Sequence, residues 1–419
     1  MTGAPPSVVE RLAELAEIGA FGATAGAFAG IARPLFSEAE HEARKRFAAW
    51  ALASRFALVQ DPAGNLFARR PGRAGAAELP PILLGSHLDT VHGGGAYDGA
   101  YGVVAALAVL EALDAAGTET VHPFEAVAWA GEEGSRFPLG CLGSGAYAGL
   151  SRLTEVERLV AADGETFTSA REGPFGLLPG VERRLTFPVP AAYLELHIEQ
   201  GPLLEAAREL LGVVTAIAGA RRFRVELTGE RGHAGTLPMA SRKDALCAAA
   251  EIVLVLETTA RELGECVATV GYLEVEPNET NVVPGRVAFR VDVRSVDDVR
   301  TDRLERVLHD ACVRAYRERG VAASIVPLER RAAVPMDAGL RAILHATIAD
   351  SGERAIDVPS GAGHDAMCLA TIAPTAMLFV PSVGGRSHVG NEYTEPPDLE
   401  RGAAMLLRAA LAVDGALAV

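Results

Sequence analysis

An α/β fold in two domains is predicted by two features. Continuous apolar runs alternate with a helical segment early in the chain, and a strand-helix-strand-strand-helix-strand order lies between residues 213 and 331. The 81–86 segment, Pro-Ile-Leu-Leu-Gly-Ser, is a short apolar run expected to be a buried strand. Residues 102–116 have the apolar density of a buried helix, and 124–130 give the next strand. Strand, helix, strand with apolar character throughout predicts a mainly parallel sheet covered by helices on both faces. Ligands of such sheets bind beyond the carboxyl ends of the strands, so the polar residues after each strand are where chemistry is expected.

The second rhythm starts with alternation over 222–228 and a helix over 241–263. Strands follow over 268–275 and 286–295, then an amphipathic helix over 297–319 and a last strand over 322–328. This ferredoxin-like βαββαβ order is expected to form a domain of 213–331 inserted into a larger one made of 1–212 and 332–419. After Pro335 the helix and strand patterns return, with 376–380 as a strand just before Gly384-Gly385-Arg386-Ser387-His388.

Composition narrows the function. The chain has 419 residues, 49% of them hydrophobic, enough for two cores, and its net charge of -15 offers no basic field to nucleic acid or an anionic membrane. Cys141, Cys247, Cys266, Cys312 and Cys368 include no Cys-x-x-Cys spacing and read as small core residues in a reducing compartment, which places the protein in the cytoplasm. The Gly/Ala-rich run 18–32 follows Glu10, Glu14 and Glu17 instead of a basic segment, and is too short and glycine-rich to span a bilayer.

Five places set histidine or carboxylate near the end of an apolar stretch. In Gly85-Ser86-His87-Leu88-Asp89-Thr90, residues two apart share a face of an extended chain, so Asp89 is expected beside His87, fixing its tautomer. Tyr97-Asp98-Gly99 precedes a helix start, and Glu132-Glu133 follows a strand as a pair whose side chains must diverge. His197 and His388 complete the set. Each alone has an ordinary structural explanation. Together, three imidazoles with Asp98 and Glu133 form a mixed nitrogen and oxygen set suited to two divalent metals, with Asp98 as bridge and Glu132 free to take a proton from water.

The motifs Gly85-Ser86-His87-Leu88-Asp89-Thr90, Tyr97-Asp98-Gly99, Glu132-Glu133-Gly134-Ser135-Arg136-Phe137, His197-Ile198-Glu199-Gln200-Gly201-Pro202, His233-Ala234-Gly235, Ser360-Gly361-Ala362-Gly363-His364-Asp365-Ala366 and Ser387-His388 occur in this order. With them the sequence resembles, over about 37–408, the metal-dependent amidase/carbamoylase family of N-carbamoyl-L-amino-acid hydrolases, allantoate amidohydrolases and beta-ureidopropionases, related to dinuclear zinc exopeptidases. The resemblance implies that His87 and His197 hold one metal, Glu133 and His388 the other, Asp98 both, and that Glu132 is the general base. It implies substrate contacts from Gln200, His233, Asn281, Arg294 and the Gly361-Ala362-Gly363 backbone, with His233 catalytic beside Glu132. It also implies two divalent ions per subunit, zinc first with manganese, cobalt or nickel as alternatives, and a homodimer paired through the inserted lid domain. Arg294 suits a substrate carboxylate, since a guanidinium offers two parallel donors.

The expected substrate is a small N-carbamoyl or ureido acid, with N-carbamoyl-L-amino acids ahead of allantoate and of dipeptide or acylamino acid cleavage. Gly232, Leu237 and Arg386 depart from the family's common residues and bear on specificity. A serine esterase built on His92-Gly93-Gly94-Gly95 would need a Gly-x-Ser-x-Gly elbow, and Gly385-Arg386-Ser387-His388-Val389 lacks its second glycine. His41, His122, His309 and His345 lie in helical or loop contexts without partner carboxylates at ligand spacing and are expected to be structural or exposed.

Overall fold

The computed structural model describes residues 7–22, 29–73 and 79–418, so positions 23–28 of the Gly/Ala-rich run lie outside the described residues. The chain divides into two compact units. One comprises Met1–Thr215, Met336–Val358 and Ala362–Val419, the other Ala216–Pro335 and Pro359–Gly361.

In chain order, the first unit contributes β1 (Ile82–His87), α1 (Ala100–Ala115), β2 (Phe124–Trp129) and β3 (Ala192–Ile198). The second unit follows with β4 (Gly219–Thr228), α2 (Ala245–Leu263), β5 (Cys266–Glu276), β6 (Arg286–Ser295), α3 (Asp298–Arg319) and β7 (Ala322–Arg331). The chain re-enters the first unit in β8 (Thr375–Val380) and α4 (Pro396–Leu417).

The centre of the first sheet is parallel, in the order β8-β3-β1-β2, and every residue of these strands is buried. Burial on both faces is why their sequences read as unbroken apolar runs. The expectation of a mainly parallel sheet needs correction, because the flanks are antiparallel and the sheet is mixed. Leu66–Arg70 lies antiparallel to β2, Ala57–Gln60 antiparallel to Leu66–Arg70, and Gly212–Ile217 antiparallel to β8. The turn at 61–65 dictates the first flank: the Asp61 carboxylate accepts from the Ala63 and Asn65 amides at 2.9 and 3.0 Å. So short a turn joins antiparallel strands only, since a parallel pair needs a crossover of a dozen residues or more.

Helix α1 is apolar all round because it is sandwiched between the sheet and α4. Its approach to the strands depends on Gly102, where a Cβ would lie 2.4 Å from the Leu196 carbonyl oxygen and 2.8 Å from the Ser86 Cβ. That contact sets the helix directly against β1 and β3, the strands that carry His87 and His197.

In the second unit β5-β6-β4-β7 form an antiparallel sheet whose β4 alternates buried with more exposed residues. Val225, Leu227, Phe289 and Val291 face Ala248, Ile252, Leu304 and Leu308 of α2 and α3 in a separate core. Boundaries differ slightly from expectation: Asp244 caps α2 through the Leu246 and Cys247 amides, so the helix starts at Ala245, and β7 continues to Arg331. Cys247 is exposed and Cys266 half-buried, which corrects the view of all five cysteines as core residues. Among the described residues no helix is long and apolar enough to cross a membrane.

Adding one methyl at Gly102 should therefore be costly. Gly102→Ala is expected to destabilise the protein by about 1–3 kcal/mol through overpacking. Gly415→Ala, on the exposed end of α4 where a Cβ meets nothing within 4 Å, should be neutral or slightly stabilising. Thermal unfolding midpoints of the two variants check this contrast.

Candidate metal and acid/base site

The carboxyl ends of the central strands converge on one cluster. His87 is the last residue of β1, His197 the penultimate residue of β3, and Glu132-Glu133 follow β2 directly. Asp98 sits just before α1, and His388 lies on the irregular segment after β8.

Asp98 is the hub. Its Oδ1 lies 3.5 Å from His87 Nε2 and 3.2 Å from His197 Nε2, and its Oδ2 lies 3.3 Å from His388 Nε2. Glu133 Oε2 is 3.4 Å from the same His388 nitrogen. Two groups of ligand atoms result, His87-Asp98-His197 and Asp98-Glu133-His388, each lying within 4.8 Å of one another and sharing Asp98.

Backbone carbonyls assign the tautomers. His87 Nδ1 lies 2.9 Å from the Asp89 carbonyl and His197 Nδ1 2.8 Å from the Ile198 carbonyl. A carbonyl only accepts, so each Nδ1 carries a hydrogen and each Nε2 presents its lone pair to the cluster. The Gly99 amide donates to His197 Nε2 at 3.1 Å, in agreement. Lone pairs aimed at a buried carboxylate repel it unless positive charge lies between them, and the donor set of imidazole and carboxylate suits a divalent transition metal. The residues present thus fit a dinuclear site.

Without metal, protons must supply that charge. Burial alone would raise the Asp98 carboxyl, but His197, His388 and His87 outweigh it and hold it well below the usual range. His388 is pushed up to about 9, chiefly by its hydrogen bond to Asp98. Burial raises Glu132 to about 7 and Glu133 to about 8, and the Asp98 charge adds to both.

Asp89 does a different job from the one expected. Its carboxylate is 3.7 Å from His87 Nδ1, whereas its oxygens accept the Glu132 and Glu133 amides at 3.1 and 3.2 Å. The backbone carbonyl orients the imidazole, and the carboxylate fixes the turn that splays the two glutamates. Arg33, fully buried, braces the same loop by donating to the Leu88 carbonyl at 3.0 Å. Glu132 Oε2 lies 3.7 Å from His87 Nε2.

Gln200, in the left-handed region at φ 58, donates its amide to Asp98 Oδ2 at 2.8 Å and leaves its own buried Oε1 without a partner. Glu392 escaped sequence reasoning. It is buried, accepts the Tyr97 and Asp98 amides at 3.0 and 3.1 Å through Oε1, and takes the Ser387 hydroxyl at 2.8 Å through Oε2. Nothing in its irregular surroundings signals this. His364 also packs here, its ring 4.6 Å from that of His197.

His233, Asn281, Arg294 and Gly361 belong to the second unit, while Ala362 and Gly363 belong to the first. The His233 side chain is exposed, and its Nδ1 accepts the Gly235 amide at 3.0 Å, which leaves Nε2 protonated as a donor. The Asn281 carbonyl accepts the Ala234 amide, setting Asn281 beside His233. Arg294 already uses its guanidinium on both oxygens of Asp292, at 3.0 and 3.2 Å, and on the Gly361 carbonyl at 3.1 Å. Gly232 and Leu237 are coupled, for a Cβ at 232 would lie 2.5 Å from Leu237 Cδ2. His122 and His345 lie away from the cluster, each beside one carboxylate: His122 with Asp414 at 2.9 Å and His345 with Asp357 at 2.8 Å.

Residues 83–412 match the Peptidase family M20/M25/M40. The N-carbamoyl-L-amino-acid amidohydrolase of Paenarthrobacter aurescens is 38% identical over 400 residues, covering 92% of this chain and 93% of the relative. The allantoate amidohydrolase of Bacillus subtilis is 37% identical over 407 residues, covering 94% of each. The crystal structure of an amidase of the hydantoinase/carbamoylase family from Burkholderia multivorans superposes with a TM-score of 0.90 at 36% identity, covering 97% of both chains. Likeness of sequence and of fold thus extends over nearly the whole length, and the chain belongs to the M20/M25/M40 peptidase family, among its hydantoinase/carbamoylase amidases.

Proposed function

We propose that this protein is a dinuclear-metal amidohydrolase that hydrolyses the ureido C-N bond of an N-carbamoyl-L-amino acid, giving the amino acid, ammonia and carbon dioxide. The observation that carries this reading is Asp98 shared between two ligand triads, with Glu132 beside them but in neither. Its support on the substrate side is the naming of relatives that cover more than nine-tenths of the chain. Allantoate is the second reading, favoured by the almost equal identity of an allantoate amidohydrolase.

His87 and His197 would hold one metal, Glu133 and His388 the other, and Asp98 both, with zinc as first choice. Bound there, the pair would supply Lewis acidity, polarising the ureido carbonyl and making water more acidic. Glu132 accepts a proton from the attacking water and returns it to the leaving nitrogen. His233 Nε2–H donates to the carbonyl oxygen as negative charge develops on it. Asn281, Gln200 and the Gly361-Ala362-Gly363 backbone position the substrate, and Arg294 exchanges Asp292 for the substrate carboxylate. Water adds across the C-N bond, the amine leaves, and the carbamic acid separates into ammonia and carbon dioxide, so all atoms are accounted for.

We assign the second unit the part of lid and dimerisation domain in a cytoplasmic homodimer. Support comes from β5, an eleven-residue edge strand with Val267 and Leu273 exposed, which is long enough to pair with its counterpart about a twofold axis.

Three outcomes are expected. A panel of N-carbamoyl-L-amino acids, allantoate and dipeptides, assayed by ammonia and amine release, should show the highest kcat/KM for an N-carbamoyl-L-amino acid; preference for allantoate would establish the second reading, and turnover of dipeptides alone would reject both. Glu132→Gln should lower kcat by about a hundredfold or more while metal content stays at the wild-type level, and near-normal turnover with full occupancy would remove Glu132 from its role. Chelation should abolish activity and a divalent transition metal restore it, with more metal required as pH falls because the imidazoles must give up their protons. Full activity in a preparation proven metal-free by elemental analysis would overturn the scheme.

A further inference from the structure

We infer that Cys141 is a positioning residue for Glu132, its thiol holding one carboxylate oxygen so that the other faces the metal cluster. The inference rests on the acid/base role proposed for Glu132. The loop after β2 folds back on itself through the bonds Gly143 N to Ala130 O, Leu142 N to Gly131 O and Cys141 N to Glu132 O, at 2.8, 3.2 and 2.8 Å. This antiparallel closure brings positions 132 and 141 side by side. Cys141 Sγ then lies 3.4 Å from Glu132 Oε1, while Glu132 Oε2 lies 3.7 Å from His87 Nε2. The two oxygens of one carboxylate thus face different neighbours.

Three properties suit Cys141 to this part. The terminal torsion of a glutamate is soft, so a carboxylate beside a metal pair needs a tether to keep one oxygen forward. A thiol is a weak donor, so it can orient the carboxylate without tying up a base that must accept and release a proton. Cys141 is buried, and its sulfur is surrounded by Cys368, the Glu132 carboxylate and, at 3.6 Å, the His364 carbonyl. The neighbouring Cys368 sulfur, then burial, then the Glu132 charge hold the thiol pKa well above its ordinary value, so Sγ keeps its hydrogen. Cys141 also occupies the left-handed region, at φ 49 and ψ 39, which non-glycine residues seldom adopt and which tends to persist at functional sites.

The test compares Cys141→Ala, Cys141→Ser, Glu132→Gln and the Glu132→Gln/Cys141→Ala double variant with the wild type. The readouts are kcat and KM on the ureido acid the wild type turns over, metal content and thermal midpoint. Alanine and serine lack β-branching, as cysteine does, so the backbone cost at this position stays nearly constant. Losing the thiol should lower kcat by roughly three- to tenfold, the worth of one modest hydrogen bond, with KM and metal content unchanged. Serine, which keeps a donor, should recover most of the loss. In the Glu132→Gln background the same deletion should change kcat by less than about twofold, because a residue that acts through Glu132 has nothing left to position. Wild-type kcat in Cys141→Ala, or an equal fold-loss with and without Glu132, would overturn the inference while leaving the role of Glu132 intact. Should the alanine variant lose metal or fold poorly, a folded, metal-replete Cys141→Gly, which also lacks a donor and suits the positive φ, takes its place: a roughly three- to tenfold loss of kcat that Cys141→Ser recovers upholds the inference, and wild-type kcat overturns it. Near-normal turnover in Glu132→Gln would reject the parent reading, and this one with it.

Discussion

A buried carboxylate approached by three imidazole nitrogens is the constraint around which the first unit is built. Asp98 cannot sit there uncompensated, since an isolated buried charge is far too costly to persist. Its surroundings are arranged accordingly. Gly99, at φ +66, has no room for a side chain, because a Cβ there would lie 2.4 Å from the His87 ring. Glu392 fixes the backbone of residues 97 and 98 from below, and Gln200 and Ser387 approach the same Asp98 oxygen from the side, at 2.8 and 3.1 Å. The packing of α1 on β1 and β3 positions the helix that Asp98 precedes, so a close contact in the core is transmitted directly to the geometry of the cluster.

The neighbouring glutamates show how adjacent residues acquire different work. Both amides are held by Asp89, which sends Glu133 toward His388 and Glu132 toward His87 and Cys141. Burial, with the Asp98 charge added, raises both carboxyl groups. The chemistry proposed for this protein follows from that asymmetry: Glu133 would hold charge, and Glu132 would stay available to move a proton.

Much of this was legible in the sequence because the informative residues lie at strand ends. β1, β2, β3 and β8 are buried on both faces, so their apolar runs mark them, and the polar residue that ends each run marks the site. The antiparallel hairpin 57–70 carries no clear strand signal, because its inner strand mixes apolar residues with Arg69 and Arg70, which pair with Glu125 and bond the loop 118–120. Side-chain partners far apart in the chain left no trace either. Asp414 meets His122, and Glu392 meets Asp98, across nearly three hundred residues, and no local pattern encodes such meetings. Asp89 shows a finer limit, since spacing put it beside His87 but could not tell its carbonyl from its carboxylate.

The placement of β8 has a consequence for how the protein is made on the ribosome. β8 lies beside β3, yet some 180 residues separate them in sequence, and the whole second unit is synthesised in between. While that stretch emerges, β3 is an open parallel edge exposing Leu194, Leu196 and Ile198, all destined for the core. The second unit, whose strands are nearly contiguous in sequence, can close its own core meanwhile. The first unit must instead wait for residues 375–380 to seal β3, and His388 arrives only after that. Vectorial synthesis therefore yields a finished small unit tethered to an unfinished large one, whose cluster is complete only once His388 has followed β8.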